Sequence, residues 1–386
     1  MSERIGLAAK WIVDGEDWHR DAALLVKDGV SEGVVSIAAA REAGTVQDFG
    51  DVVLAPGFVD VQVNGGGGVM LNDHPSIEGI ETICRAHAPF GTTALLPTLI
   101  TDTPEVTARA IEAGIEAGRR KVPGFIGLHL EGPHLSIARK GAHDPRLIRP
   151  MTDADLGKLV EARRSLPTLL VTIAPESVTP GQVGALTQAG IIVSLGHTDA
   201  SYETAGIYAR AGASMVTHLF NAMSQIGNRE PGLVGSAIDN GELSAGLIAD
   251  GIHVNVSTIE IAMRAKLGPG RIFLVTDAMA TIGTDLKSFK LNGRTIYRKD
   301  GSLRLEDGTL AGADLDMISA VKFACSLRGL GLPEALPMAS SYPAAAIRRQ
   351  DRLGHLKKGA AANIVALTPA LEIEGVWIEG KRVFAA

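Results

Sequence analysis

FVDVQVNGGGG, residues 58–68, alternates valine with Asp60, Gln62 and Asn64 before four glycines close the run. A two-residue period describes a strand with one apolar and one polar face. The glycine run is a tight exit turn; no Lys-Ser/Thr pair follows it, as a phosphate-cradling loop would require. Seven further runs rich in Val, Ile and Leu follow. They are TALLPTLI (93–100), FIGLHLE (125–131), TLLVTIAPE (168–176), IIVSLGHT (191–198), SMVTHLFN (214–221), SAGLIADGIHV (244–254) and IFLVTDAM (272–279). Longer Ala/Glu/Lys-rich helical patterns separate them, and strands alternating with helices imply parallel βα units. Eight such units match a closed (β/α)8 TIM barrel, whose active sites lie at the C-terminal ends of the strands. The sixth-to-seventh connection is short and Gly-rich, so an irregular unit is expected there.

The ends of the chain read differently. Residues 1–55 carry short apolar runs split by VDGED, KDGVSEG and DFGD, and the tail holds NIVALTP and GVWIEGKRVF. Neither piece can bury a core alone. The expectation is a small β-sandwich domain built from both termini (1–55 plus 356–386) beside a hydrolase barrel over 56–355. A β insertion near 285–312, with three Gly turns, is expected to overhang the barrel mouth as a lid.

Bulk properties narrow the function. The 386 residues are 46% hydrophobic and 4% aromatic, with a net charge of −6. That balance lacks the basic stripe or stacking platform of a nucleic-acid surface. An anionic substrate would have to be met by a local cluster. No uncharged stretch is long enough to span a bilayer, and MSERIGLAAKWIVDGEDWHR holds no apolar signal-peptide core. Cys84 and Cys325 lie far apart and read as small hydrophobes in a reducing compartment. A cytoplasmic protein is expected.

Four strand runs end in residues that titrate or bind metals: Glu131 on the third, His197 on the fifth, His218 on the sixth and Asp277 on the eighth. Singly, each reads as a core histidine or a capping carboxylate. Together, at the tips of converging strands, they would crowd charge into one mouth unless a cation binds there. Two histidines and a glutamate form a catalytic zinc ligand set with an open position. A metal there acidifies water enough to attack a carbonyl at neutral pH. Asp277 then has the type and place of a general base.

These residues lie in PGFVDVQVNG (56–65), LHLEGPHLS (128–136), KGAHDP (140–145), SLGHTDA (194–200), THLFNAM (217–223), REPGLVG (229–235), IADGIHV (248–254), LVTDAM (274–279) and GTLAG (308–312). In this order the chain resembles the amidohydrolase superfamily and, within it, the N-acetylglucosamine-6-phosphate deacetylase family. Many amidohydrolases carry Asp-X-His-X-His where this chain has Asp60-X-Gln62-X-Asn64. Neutral amides are poor zinc ligands, so one divalent metal per subunit is expected at Glu131, His197 and His218. Zinc is the first expectation; iron, cobalt and manganese are alternatives. No lysine ends the fourth strand to bridge a second metal.

The resemblance implies further roles. His143, beside Ala142, points at the acetyl carbonyl and supports the oxyanion. Gln62 hydrogen-bonds the metal's water. Asn221, Ala222, Arg229 and His253 hold the sugar 6-phosphate, and Asp250, Leu310 and Ala311 line the pocket. Arg229 reaches the neighbouring subunit's site, which implies a homodimer. The reaction implied is hydrolysis of the acetyl amide of N-acetyl-D-glucosamine 6-phosphate. Alternatives are the galactosamine epimer, a cyclic-amide amidohydrolase, and a scaffold that has lost its metal.

Overall fold

A computed structural model describes residues 4–386. All eight expected runs form strands of one parallel sheet: β1 (Phe58–Val63), β2 (Thr92–Ile100), β3 (Leu128–Glu131), β4 (Leu169–Ile173), β5 (Ile192–Leu195), β6 (Met215–Val216), β7 (Ser244–Ile248) and β8 (Ile272–Val275). They pair in chain order. The sheet closes where Val63 bridges Ala278 and the Asp277 amide donates to the Gln62 carbonyl at 3.0 Å. A helix follows each strand. Seven of these helices are capped by Ser76, Thr103, Thr152, Thr179, Ser201, Asn255 and Asp316, whose side chains accept a first-turn N–H. The irregular sixth unit is a two-residue strand followed by an eight-residue helix, Gly232–Asp239, with no side-chain cap.

Inside the barrel, below the mouth, a chain of hydroxyls replaces apolar packing. His129 Nε2 lies 2.7 Å from Thr172 Oγ1, which lies 2.7 Å from Thr217 Oγ1, which lies 2.7 Å from Ser194 Oγ. Burial pushes the His129 pKa down to about 4, so the ring is neutral there.

Both chain ends contribute to one further eight-stranded sheet. Its order is Lys381–Ala385, Ile373–Ile378, Ile364–Leu367, Val53–Pro56, Ile5–Val13, Trp18–Lys27 and Val30–Ser36, with Thr45–Asp48 also pairing to Ile5–Val13. The small β domain expected from both termini is present, and its strands form one continuous hydrogen-bonded sheet because Val53–Pro56 and Ile364–Leu367 pair directly across the two ends. Alternation divides its side chains. Leu54, Ile364 and Ala366 enter the sheet's own apolar cluster, while Val53, Ala55, Val365 and Leu367 join the barrel core. No helix among the described residues is long and apolar enough to cross a membrane.

The insertion after β8 is an antiparallel meander: β9 (Ser288–Leu291), β10 (Arg294–Lys299), β11 (Ser302–Arg304) and β12 (Leu310–Ala313). Its four strands each contribute one residue to a small cluster of their own. Leu291, Ile296, Leu303 and Ala311 pack with Met70, Ile100, Met279 and Ala280 at the barrel rim. The meander therefore leans on the mouth through this cluster, while Ala313, at the end of β12, joins the main core.

Candidate active site

Glu131 is the last residue of β3, and His197, His218 and Asp277 each follow their strand by two positions. The three latter residues hold left-handed backbone angles, with φ of +50°, +28° and +51°. Non-glycine residues avoid that region at a cost of order 1–3 kcal/mol unless the surroundings impose it. Here the sharp turn at each strand end swings the side chain over the barrel axis.

The side chains converge. His197 Nε2 and His218 Nε2 each lie 3.0 Å from Glu131 Oε1 and 3.0 Å from one another. Ligands on a tetrahedral zinc at 2.0–2.1 Å stand about 3.3 Å apart, so this triangle needs only a few tenths of an ångström to admit the ion. The His197 tautomer agrees. His197 Nδ1 donates to the Arg139 carbonyl at 2.8 Å, which leaves the lone pair on Nε2. His218 Nδ1 is buried without a hydrogen-bond partner. Burial opposes charge on Glu131, but the close approach of the His197 and His218 rings outweighs it and holds its carboxyl well below the usual range. Burial likewise opposes charge on His218, and Glu131 outweighs it and raises its pKa. The cavity favours positive charge at this point.

A second grouping also comes close: ligand atoms of Glu131, His143 and His197 lie within 4.8 Å of one another. Hydrogen bonding decides between the two. His143 Nδ1 accepts from the Thr101 backbone N–H at 3.3 Å and lies 2.7 Å from Thr101 Oγ1. Its proton is therefore assigned to Nε2, which can donate to a substrate but not ligate. Burial, then the charges of nearby groups, push its pKa down to about 3, so the ring stays neutral. The 3.0 Å triangle is the better cation site.

Asp277 Oδ1 accepts from Asn64 Nδ2 at 2.6 Å and from Gln62 Nε2 at 3.1 Å; Gln62 Nε2 also lies 3.3 Å from Glu131 Oε2. Burial, reinforced by the Glu131 charge, pushes the Asp277 carboxyl up to about 6. The polar face of β1 thus supports the acid on β8. Asp60 sits one step deeper. It accepts from Thr276 Oγ1 at 2.5 Å, and burial raises it to about 7.

A cavity of about 240 Å³ opens above these groups, and Ala142, His143, Asn221, Ala222, His253 and Leu310 line it with the metal-type residues. His253 Nδ1 is fixed by Asp250 Oδ2 at 2.6 Å; Asp250 stands behind it, outside the cavity lining. Gln62 reaches the site only through Asp277 and Glu131. Ala311 is fully buried in the meander cluster, outside the lining. Arg229 is exposed and outside this cavity. Its neighbour Glu230 accepts from the backbone N–H groups of Tyr202 and Gly232. A larger cavity of about 380 Å³ lies between the helices Pro104–Arg120 and Asp153–Arg163, and His134 lines that one.

The family model for the amidohydrolase family matches residues 53–383. The chain belongs to the amidohydrolase family. This amidohydrolase is 42% identical, over 94% of its length and 92% of the relative, to an N-acetylgalactosamine-6-phosphate deacetylase of Shewanella sp. (strain ANA-3). It is 37% identical to an N-acetylglucosamine-6-phosphate deacetylase of Haemophilus influenzae, over 95% of each chain. The solved N-acetylglucosamine-6-phosphate deacetylase of Pasteurella multocida superposes with a TM-score of 0.94 at 34% identity, covering 99% of this chain and 100% of that one.

Three contributors to this site lay outside the sequence reading. Thr101 orients His143, the Arg139 carbonyl fixes the His197 tautomer, and Arg294 donates from the meander to the Ala142 carbonyl. Thr101 directly follows the second strand run, at the tip where the other functional residues were sought, and that position was the available signal.

Proposed function

We propose that this amidohydrolase removes the acetyl group of N-acetyl-D-glucosamine 6-phosphate by hydrolysis, giving D-glucosamine 6-phosphate and acetate. The observation that carries the reading is the buried Glu131–His197–His218 triangle with Asp277 and neutral His143 around one small cavity. One divalent ion, zinc by its N,N,O donor set, would be held there. It would supply an acidified water and polarise the acetyl carbonyl.

The chain's own residues do the rest. With Asp277 Oδ1 engaged by Asn64 and Gln62, Oδ2 takes the proton from the attacking water. As negative charge grows on the carbonyl oxygen, His143 Nε2–H donates to it. Asp277 then passes its proton to the departing amine nitrogen as the C–N bond breaks. Asn221, Ala222 and His253 bind the sugar 6-phosphate, with Asp250 holding the His253 ring. Leu310 closes the sugar side, with Ala311 buttressing it from the meander. Arg229 completes the phosphate site of a neighbouring subunit in a homodimer, a placement suggested by its exposure and its place outside the cavity lining. The chain divides into 1–55 plus 356–386 and a barrel over 56–355, and the enzyme works in the cytoplasm.

A second reading has its own support: the 42% identical Shewanella relative acts, by its name, on the galactosamine epimer. Assaying the metal-loaded enzyme on both N-acetyl hexosamine 6-phosphates separates them. Faster acetate release from the gluco substrate is expected. A preference for the galacto substrate moves the assignment to the epimer, and inactivity on both overturns it.

A further inference from the structure

One loop touches two groups of the site and is itself touched from above. Between Ser136 and Asp144 the chain makes a single 3-10 turn, Ile137–Arg139, and then lines the cavity with Gly141, Ala142 and His143. The Ser136 N–H donates to the His197 carbonyl at 2.9 Å, and the Arg139 carbonyl accepts from His197 Nδ1. Gly141 has φ +54°, and a Cβ there would stand 3.3 Å from His197 Cε1, so the loop backbone lies flat against that imidazole. Two residues on, His143 is the proposed carbonyl donor.

Part of the cavity wall belongs to the meander, which places Leu291 and Leu310 on it. The meander packs on the rim through its separate cluster, and Ala142 leans against that cluster. Arg294, half-buried on β10, donates Nη2–H to the Ala142 carbonyl, 152 positions away in sequence. Its charge is felt by Asp144 on the loop and by Asp307 on the meander. An arginine suits this place: its planar fork holds a carbonyl and remains compensated by flanking acids, where lysine offers a point charge.

We propose that Arg294 is a positioning residue for the hydrolysis: its bond to the Ala142 carbonyl ties the β-meander to the loop that orients His143 and His197. The lid and the carbonyl donor then move as one, and a meander that lifts away loosens the grip on the acetyl group. The kinetic part of this inference rests on the deacetylase reading; the mechanical part rests on geometry alone.

The test compares metal-loaded Arg294→Met and Arg294→Lys with the unaltered enzyme. It reads kcat and KM on N-acetyl-D-glucosamine 6-phosphate, the melting midpoint, and amide hydrogen exchange at 137–144. A misplacement near 1 Å costs about 10²-fold in rate. Arg294→Met is therefore expected to lose turnover on the order of 10²-fold, with a smaller change in KM and an unchanged melting midpoint. Exchange at 137–144 rises, and Arg294→Lys recovers much of kcat because it keeps one donor. Unchanged exchange at 137–144 in Arg294→Met overturns the proposal. So does a loss that follows the melting midpoint and that lysine does not rescue. Exchange is read without substrate, so an unaltered enzyme inactive on both sugar phosphates would sink the deacetylase reading while the tie is still judged by exchange.

Discussion

Replacing Asp277 by asparagine separates what the carboxylate does for turnover from what it costs the fold. The amide keeps an oxygen for the Asn64 donor, now 2.6 Å from Oδ1, so the geometry survives while the proton carrier is lost. Loss of a general base lowers kcat by roughly 10²–10⁴, equivalent to about 3–5 kcal/mol at 1.36 kcal/mol per decade. The stability effect has the opposite sign. Burial lifts the folded-state pKa from 3.8 to about 6, so above pH 6 the ionised carboxyl costs up to about 3 kcal/mol. That cost vanishes as pH falls below the unfolded value. In the metal-free protein at neutral pH, Asp277→Asn is therefore expected to melt higher than the unaltered chain while losing nearly all turnover once reloaded. A bound dication offsets part of the cost, so the gain shrinks in the loaded form. Steady-state acetate release and calorimetry with and without chelator read both effects. Turnover within tenfold of the unaltered enzyme would refute the proton-carrier role, and a lower melting midpoint without metal would refute the burial cost.

Alanine at His197 or His218 opens the 3.0 Å triangle; metal analysis after dialysis should fall from near one ion per chain towards zero, whereas Asp277→Asn should retain its ion. Thr101→Val removes the Oγ1 that lies 2.7 Å from His143 Nδ1, and the loss of one neutral hydrogen bond, about 1 kcal/mol, should lower kcat by roughly five- to tenfold with little change in metal content. His87 is buried beside the Gly65 carbonyl, and burial pushes its pKa down to about 4. Between pH 6.5 and 4 the unfolded chain takes a proton that the folded one refuses, so acid should weaken the fold by up to about 3 kcal/mol through this residue. Denaturant titrations at pH 7 and 4.5 should show a smaller difference for His87→Gln than for the unaltered chain.

The barrel was legible because each strand announces itself locally as a short run rich in Val, Ile and Leu, set apart from the next by a helical pattern. The metal-type residues were legible because they stand at the tips of those runs. The supporting contacts were not. Thr101 and His143 are 42 positions apart, and Arg294 and Ala142 are 152; no local period encodes such pairs. Gln62 and Asn64 show the intermediate case. Alternation put them on one face, but only closure of β1 against β8 reveals that the face serves Asp277. Arg229 marks another limit: it is exposed and outside the lining of this chain's cavity, so its proposed phosphate role rests on the motif alone. That both termini build one small β domain was legible; the continuous strand order of its single sheet was not, because its two halves meet only after the barrel is wound.

That sheet imposes an order of events on a chain emerging from the ribosome. Val53–Pro56 is born early, yet its neighbour Ile364–Leu367 lies about 300 positions downstream, and closing so long a span is entropically slow. Until that partner arrives, Val53 and Ala55 have no second strand beside them and the underside of the barrel stays uncovered. The nascent molecule must therefore carry a sticky, half-finished floor through most of its synthesis, and the last strands act as the stopper that makes it safe to release.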